Sequence, residues 1–183
     1  MSSKIQSLRP NVSREEAVEL FSRRDASVFL WQARKGTLQR IADAYVPYWI
    51  YRVRYLLRGG AETRLFALDA VDGSLDLFEF SALPRPEELI AVGTRNFVPQ
   101  GLTEGHGENL LREKALRVIF QRGFLRLREP QMEIAGQPVK LHMPYWLGFY
   151  DGRGEVRCRV MDAVRRQVEG AKASALFEQW LAA

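Results

Sequence analysis

Glu104-Gly105-His106-Gly107-Glu108 sets one imidazole between two carboxylates, the outline of a metal or acid–base site. The outline is thin, because its glycines read as a loop, whereas metal sites project ligands from firm elements with supporting hydrogen bonds. His142, the other histidine, sits far away in sequence beside a proline. No metal and no cofactor are therefore expected. A Cys-His nucleophile would need Cys158 beside an imidazole, but Cys158 alternates with Val156 and Val160 and reads as a buried, inert thiol. Gly105-x-Gly107 lacks the third glycine of a phosphate cradle, and Gly152-x-Gly154 belongs to a hairpin tip. With no convergent catalytic set, the residues point to a non-catalytic binding or regulatory module. The alternative is an enzyme or small-ligand protein with a pocket between sheet and helices, in which Asp69, Asp162 or His106 would act.

A binding surface is easier to find. From Tyr48 to Arg58, Trp49, Tyr51, Val53, Tyr55 and Leu57 share one strand face, a core stripe; Tyr48, Ile50, Arg52, Arg54, Leu56 and Arg58 share the other. The second face mixes aromatic, aliphatic and guanidinium groups, the chemistry of contact surfaces that take carboxylates. Arg157 and Arg159, out of phase with Val156, Cys158 and Val160, would extend it. Tyr48, Arg52, Arg54, Arg157 and Arg159 are thus the expected contact area for an acidic peptide or protein. The competing reading leaves these arginines to cross-strand acids and water.

The elements that carry these residues occur twice. Tyr45-Val46-Pro47-Tyr48-Trp49-Ile50 returns as His142-Met143-Pro144-Tyr145-Trp146-Leu147. Leu68-Asp69-Ala70-Val71 follows the first copy and Met161-Asp162-Ala163-Val164 the second, the Asp falling 22 residues after Pro47 and 18 after Pro144. Pro47, Trp49, Asp69, Pro144, Trp146 and Asp162 are read as structural, each Asp accepting backbone N–H groups to fix its hairpin. Trp146 is out of phase with its apolar neighbours Tyr145, Leu147 and Phe149, while Trp49 is in phase with its own stripe, so a bulge or different faces are expected for the two indoles.

Each copy opens with a helix. Ser13-Arg14-Glu15-Glu16 is a capping box leading into Ala17, Leu20 and Phe21; Asn109 would cap Leu111, Ala115, Val118 and Ile119. Val28-Phe29-Leu30-Trp31 fits strand or helix equally. Strands are predicted over 38–44, 48–57, 63–70 and 74–80, with Asp72-Gly73 as a hairpin turn, and over 131–135, 139–150 and 155–164, with turns at Gly136-Gln137-Pro138 and Gly152-Arg153-Gly154. Ser81 to Gly107, with Pro84, Pro86 and Pro99, reads as a crossing linker. Ala173, Leu176, Phe177, Trp180 and Leu181 make an amphipathic helix at the end. The expected fold is α+β: two helix-plus-antiparallel-sheet repeats, 1–80 and 108–183, related by a pseudo-twofold and joined by 81–107, with a C-terminal helix.

Composition narrows the partners. The 183 residues are 46% hydrophobic and 11% aromatic, which suits a folded core and excludes a disordered or low-complexity chain. The charge of +5 comes from 27 Lys plus Arg against 22 Asp plus Glu. The cations are scattered singly, and neither a Cys/His finger, an aromatic ribonucleoprotein motif nor a helix-turn-helix pair accompanies them, so nucleic-acid binding is the least favoured alternative. Met1-Ser-Ser-Lys-Ile-Gln-Ser lacks a signal-peptide core, and no stretch approaches the roughly 20 apolar residues of a membrane span, so a cytoplasmic protein without membrane contact is expected. Homo-oligomerisation stays open.

The Ser-x-Glu-Glu-Ala helix start and the segment Leu68-Asp69-Ala70-Val71-Asp72-Gly73-Ser74-Leu75 resemble the PepSY module, over about Val12 to Phe80. The second copy, Asp162-Ala163-Val164-Arg165-Arg166-Gln167-Val168, lacks the turn glycine. Tyr45-Val46-Pro47-Tyr48-Trp49 is similar to a segment of uncharacterised bacterial proteins that carry a zinc ribbon, although one Cys cannot supply such a ribbon here. The resemblance implies a small helix-on-sheet binding or regulatory module; the family's association with peptidase regulation outside the cytoplasm does not carry over.

Overall fold

The computed structural model describes residues 3–22, 37–57, 60–121, 131–152 and 155–183. In chain order these form β1 (Ser3–Leu8), α1 (Arg14–Ser22), β2 (Thr37–Leu57), β3 (Gly60–Asp69), β4 (Phe78–Phe80), a 3-10 turn (Pro86–Glu88), β5 (Leu89–Thr94), α2 (Glu104–Gln121), β6 (Met132–Gly152), β7 (Glu155–Asp162), β8 (Gln167–Val168) and α3 (Ala171–Ala182). The class is α+β with largely antiparallel pairing, in the strand order β4-β3-β2-β6-β1-β5, with β7 on β6 and β8 on β7. Val28-Phe29-Leu30-Trp31 lies outside the described residues.

Contacts divide the chain into two compact units, one of Met1–Val46, Glu87–Val98 and His142–Ala183, the other of Pro47–Pro86 and Pro99–Leu141. These units do not follow chain order, because β2 and β6 each run through both. In the second unit α2 lays Leu111, Ala115 and Ile119 on Trp49, Tyr51, Val53, Tyr55, Phe66 and Leu68 of the β2–β3 hairpin. In the first, Ala17 and Phe21 of α1 pack with Tyr150 and Met161 of the β6–β7 hairpin.

The capping box at α1 forms reciprocally: Glu16 N–H donates to Ser13 Oγ at 3.2 Å, and Ser13 N–H to Glu16 Oε2 at 2.8 Å. The second helix departs from expectation, starting at Glu104 rather than after Asn109, with Gly107 N–H bonded to the Thr103 carbonyl at 2.9 Å. Glycine argues against helix, yet a Cβ on Gly107 would fall 2.6 Å from the Trp49 ring. Close packing on the indole therefore decides the residue, and local propensity loses.

Four further differences have physical causes. The expected linker contains β5, which pairs antiparallel with β1 from Leu8↔Leu89 to Ser3↔Thr94. Pro47 does not split its strand. The Tyr45 carbonyl accepts from Val98 N–H at 2.8 Å, the Pro47 carbonyl accepts from Ala70 N–H at 2.8 Å, and the proline stands where one partner gives way to the next. Gly136, at φ +72°, kinks β6 instead of turning it. Asp72-Gly73 is not a tight hairpin, because Asp69 draws in the N–H groups of Asp72, Gly73 and Leu75, and pairing resumes only at Phe78. At the C-terminus α3 buries Ala173, Leu176 and Phe177, with the Phe177 ring edge-on to Tyr145 at 5.5 Å.

Candidate functional site

The β2–β3 ladder sorts the hairpin into two faces. Trp49↔Leu68, Tyr51↔Phe66, Val53↔Arg64 and Tyr55↔Glu62 turn to α2; Ile50↔Ala67, Arg52↔Leu65, Arg54↔Thr63 and Leu56↔Ala61 turn away from it. Phe80 stands opposite Leu65 and Phe78 opposite Ala67, which adds two half-buried rings 4.4 Å apart to the outward face. Arginine behaves differently on the two sides. Arg64 is held by Glu62 at 3.2 Å and Glu79 at 3.1 Å and lies over the Tyr55 ring. Arg52 and Arg54 are exposed, and neither has a hydrogen-bond or ion-pair partner among the described residues. Leu56 beside them is 50% exposed, high for an aliphatic side chain next to a core.

Tyr48 does not belong to this surface. It shares the parity of Arg52 and Arg54 but is 2% exposed, because that face is buried near Pro47, still buried at Ile50, and opens only toward the hairpin tip. Arg157 and Arg159 stand on β7, which pairs with β6. They belong to the other unit, half-buried, opposite Tyr150 and Gly148 on the face that carries Trp146 toward α1. Arg159 sits by the Tyr150 hydroxyl, which burial pushes up in pKa while the guanidinium works against that shift; the hydroxyl donates to the Phe21 carbonyl at 3.0 Å. Alternation identified faces correctly but could not tell which stretches of a face are covered.

The repeated structural residues occupy matching positions. Tyr48 pairs with Asp69 and Tyr145 with Asp162, Trp49 with Leu68 and Trp146 with Met161. The Pro144 carbonyl accepts from Ala163 N–H at 3.1 Å, as the Pro47 carbonyl does from Ala70. No bulge is needed for the two indoles: each lies on the face toward its unit's helix, and Trp146 Nε1 donates to the Val12 carbonyl at 2.9 Å. The phase conflict arose because β6 is buried on both faces there, α3 covering Tyr145 opposite α1.

The sketched chemistry disperses. Glu104 and His106 stand exposed on the first turn of α2, Glu104 ion-paired to Lys140, whose ammonium lies 5.6 Å from the Trp49 ring. Among the described residues no group of three or more His, Cys, Asp or Glu is placed to hold a metal ion. Burial pushes the Cys158 thiol up to about 12, which keeps it protonated and unreactive. His142 Nδ1 faces the Gln6 carbonyl at 3.2 Å, with burial lowering its pKa. A cleft of about 590 Å³ in the unit with α3 is lined by Arg40, Phe149, Arg157, Cys158, Glu178, Leu181 and Ala182, Arg40 stacking over Phe149 at 4.6 Å. No described helix is long and apolar enough to cross a membrane.

Leu65, Phe78 and Phe80 carry only a faint sequence signal, the period-two spacing of Phe78 and Phe80 that sets both rings on one face. No family model, no curated protein and no solved structure matches the chain.

Proposed function

We propose that the chain is a non-catalytic binding module that recognises an acidic peptide or protein segment on the outward face of the β2–β3 hairpin. The observation that carries this reading is the contrast between Arg64, neutralised by two glutamates, and Arg52 and Arg54, exposed without partners beside Leu56. Guanidinium groups pair with carboxylates in bidentate fashion, and Leu56, Leu65, Phe78 and Phe80 offer the apolar ground such a contact needs. The test is selection from a display library of acidic and neutral peptides, followed by binding kinetics. Acidic peptides should be enriched, and R52E/R54E should cut affinity by about tenfold or more, mainly through slower association, and flatten its salt dependence. Equal recovery of neutral peptides would sink the reading. A log-linear fall of affinity with salt on single-stranded nucleic acid would favour the nucleic-acid alternative. The small-ligand alternative rests on the cleft under α3, where two arginines flank an apolar floor; carboxylate ligands that raise the melting temperature, an effect lost in Arg40→Ala, would favour it.

We infer in addition that the chain arose by duplication of one α+β repeat. Support comes from matched backbone bonds: Asn11 N–H to the Ala163 carbonyl at 2.8 Å and Gly101 N–H to the Ala70 carbonyl at 2.9 Å, each just ahead of a helix whose first turn closes on Ser13 or Thr103. On this reading Thr103, not Asn109, is the counterpart of Ser13, and each repeat's helix lies in the unit with the other repeat's hairpin. Superposing residues 11–21, 144–150 and 157–163 on 101–111, 47–53 and 64–70 tests it; helices that miss each other when the strands coincide would end it.

A further inference from the structure

β5 pairs with β1 on one side and, among the described residues, with no strand on the other. Its six residues, Leu89-Ile90-Ala91-Val92-Gly93-Thr94, carry neither the charge nor the proline that commonly blunts a sheet edge. The orientation of its peptide groups follows from one bond. Arg9 N–H donates to the Glu88 carbonyl at 2.8 Å, in register with the β1–β5 ladder. Antiparallel ladders alternate, so Glu88, Ile90, Val92 and Thr94 turn their peptide groups to β1, while Leu89, Ala91 and Gly93 turn theirs to the open edge. Ala91 and Gly93 are exposed, and Ile90 and Val92 half-buried.

We propose that the chain self-associates through this edge, two copies of β5 pairing antiparallel about a twofold axis at Ala91. Only registers that oppose outward-turned residues can form a ladder. Among these, the one centred on Ala91 uses all three, setting Leu89 against the partner copy's Gly93 and Ala91 against its equivalent, for about six backbone hydrogen bonds. The same register opposes Ile90 to Val92 of the other copy, twice. Those are β-branched cross-strand pairs of the favourable kind, and they sit in the non-hydrogen-bonded positions where side chains approach most closely. It also carries Arg95, exposed at the end of β5, toward Glu87 of the other copy, in the turn before β5. Backbone, apolar and charge complementarity thus select one register, and a second copy of this chain is the occupant that satisfies all three. The proposal is independent of the acidic-partner reading, since β5 and the Arg52 face belong to different units.

Sedimentation velocity on the full chain from about 5 µM to about 500 µM tests it, the range in which a small edge contact associates weakly. The wild-type chain should pass from monomer to dimer. Ala91→Pro removes an outward N–H without touching the β1 ladder; it should leave the melting temperature unchanged and weaken the dimer by about tenfold or more. Should that variant fail to fold, Arg95→Glu decides: it should weaken the dimer, and Glu87→Arg with Arg95→Glu should restore it. A wild-type chain that stays monomeric throughout, or a dimer indifferent to folded Ala91→Pro and to Arg95→Glu, overturns the proposal.

Discussion

At Asp69 the carboxylate collects three backbone N–H groups, from Asp72, Gly73 and Leu75, and no cation among the described residues; at Asp162 it collects those of Val164 and Arg165 together with the Arg165 guanidinium, which also reaches Glu169. Both sit at most 1% exposed at the end of a strand opposite a Pro-Tyr-Trp segment. Burial holds the Asp69 carboxyl above its ordinary 3.8, its backbone bonds working the other way. Four residues on, both turns enter the left-handed region, with Gly73 at φ +71° and Arg166 at φ +58°. In the first turn glycine takes the left-handed φ without steric cost, and a Cβ there would also push the Leu110 Cδ1 methyl, 2.7 Å away, out of its place. In the second the residue is exposed, and Arg166 bonds to Glu16 and the Asn11 carbonyl. The left-handed step is therefore made by glycine in one turn and by an exposed arginine in the other, and each acid collects N–H groups at different offsets.

The sharpest way to break this comparison is to remove the acids. Asp69→Ala and Asp162→Ala should each cost about 2 to 3 kcal/mol in urea unfolding, because each strands several polar groups away from water. A cost below about 0.5 kcal/mol at either site would end the structural reading of that Asp. Next comes the helix pair. Gly107→Ala should destabilise by about 1 to 3 kcal/mol by forcing a methyl into the Trp49 ring, while Ala17→Gly, at the matching position of α1, should cost about 1 kcal/mol through backbone entropy and lost burial. A Gly107→Ala variant as stable as the wild-type chain would mean that α2 can back away from the Trp49 ring without cost. At the left-handed positions the signs should split: Gly73→Ala destabilises by about 1 to 2 kcal/mol, whereas Arg166→Gly relieves about 1 kcal/mol of backbone strain and loses an exposed ion pair to Glu16 and a long 3.5 Å hydrogen bond to the Asn11 carbonyl.

The smallest effect concerns the residues two before each proline, Tyr45 and His142. Each lies beside a parallel bridge, to Phe97 and Ser7 respectively. His142 is held below its ordinary 6.5 by burial, so the unfolded chain takes up a proton there first as pH falls. Its contribution to stability is therefore full above pH 6.5 and is lost as the pH drops below that value toward its folded pKa. Melting temperatures between about pH 7.5 and about pH 5.5 should fall less in His142→Tyr than in the wild-type chain.

Much of this was legible in residue order because the signals were local. Ser13 to Glu16 capped α1 as its spacing requires, and Pro-Tyr-Trp with its downstream Asp marked two ladders in the same register. The misses came where a distant residue overrode a local one. Gly105 and Gly107 read as loop until Trp49 was set beneath them; Asp72-Gly73 read as a hairpin until Asp69 gathered its backbone. β5 was hidden in a segment punctuated by prolines. The arginine face was half legible: period two put Tyr48, Arg52 and Arg54 on one face, but it could not tell that the face is exposed at the two arginines and buried at Tyr48.

Residue order alone accounts for the α+β class, the α1 cap, the two Pro-Tyr-Trp strands, their acid-headed turns and the docking stripe of α3, because each depends on hydrogen bonds or periodicities spanning a few residues. Tertiary packing decided where α2 begins, which arginines are neutralised and which stretch of each face is covered. Those outcomes depend on partners tens of residues away, and no local propensity encodes them.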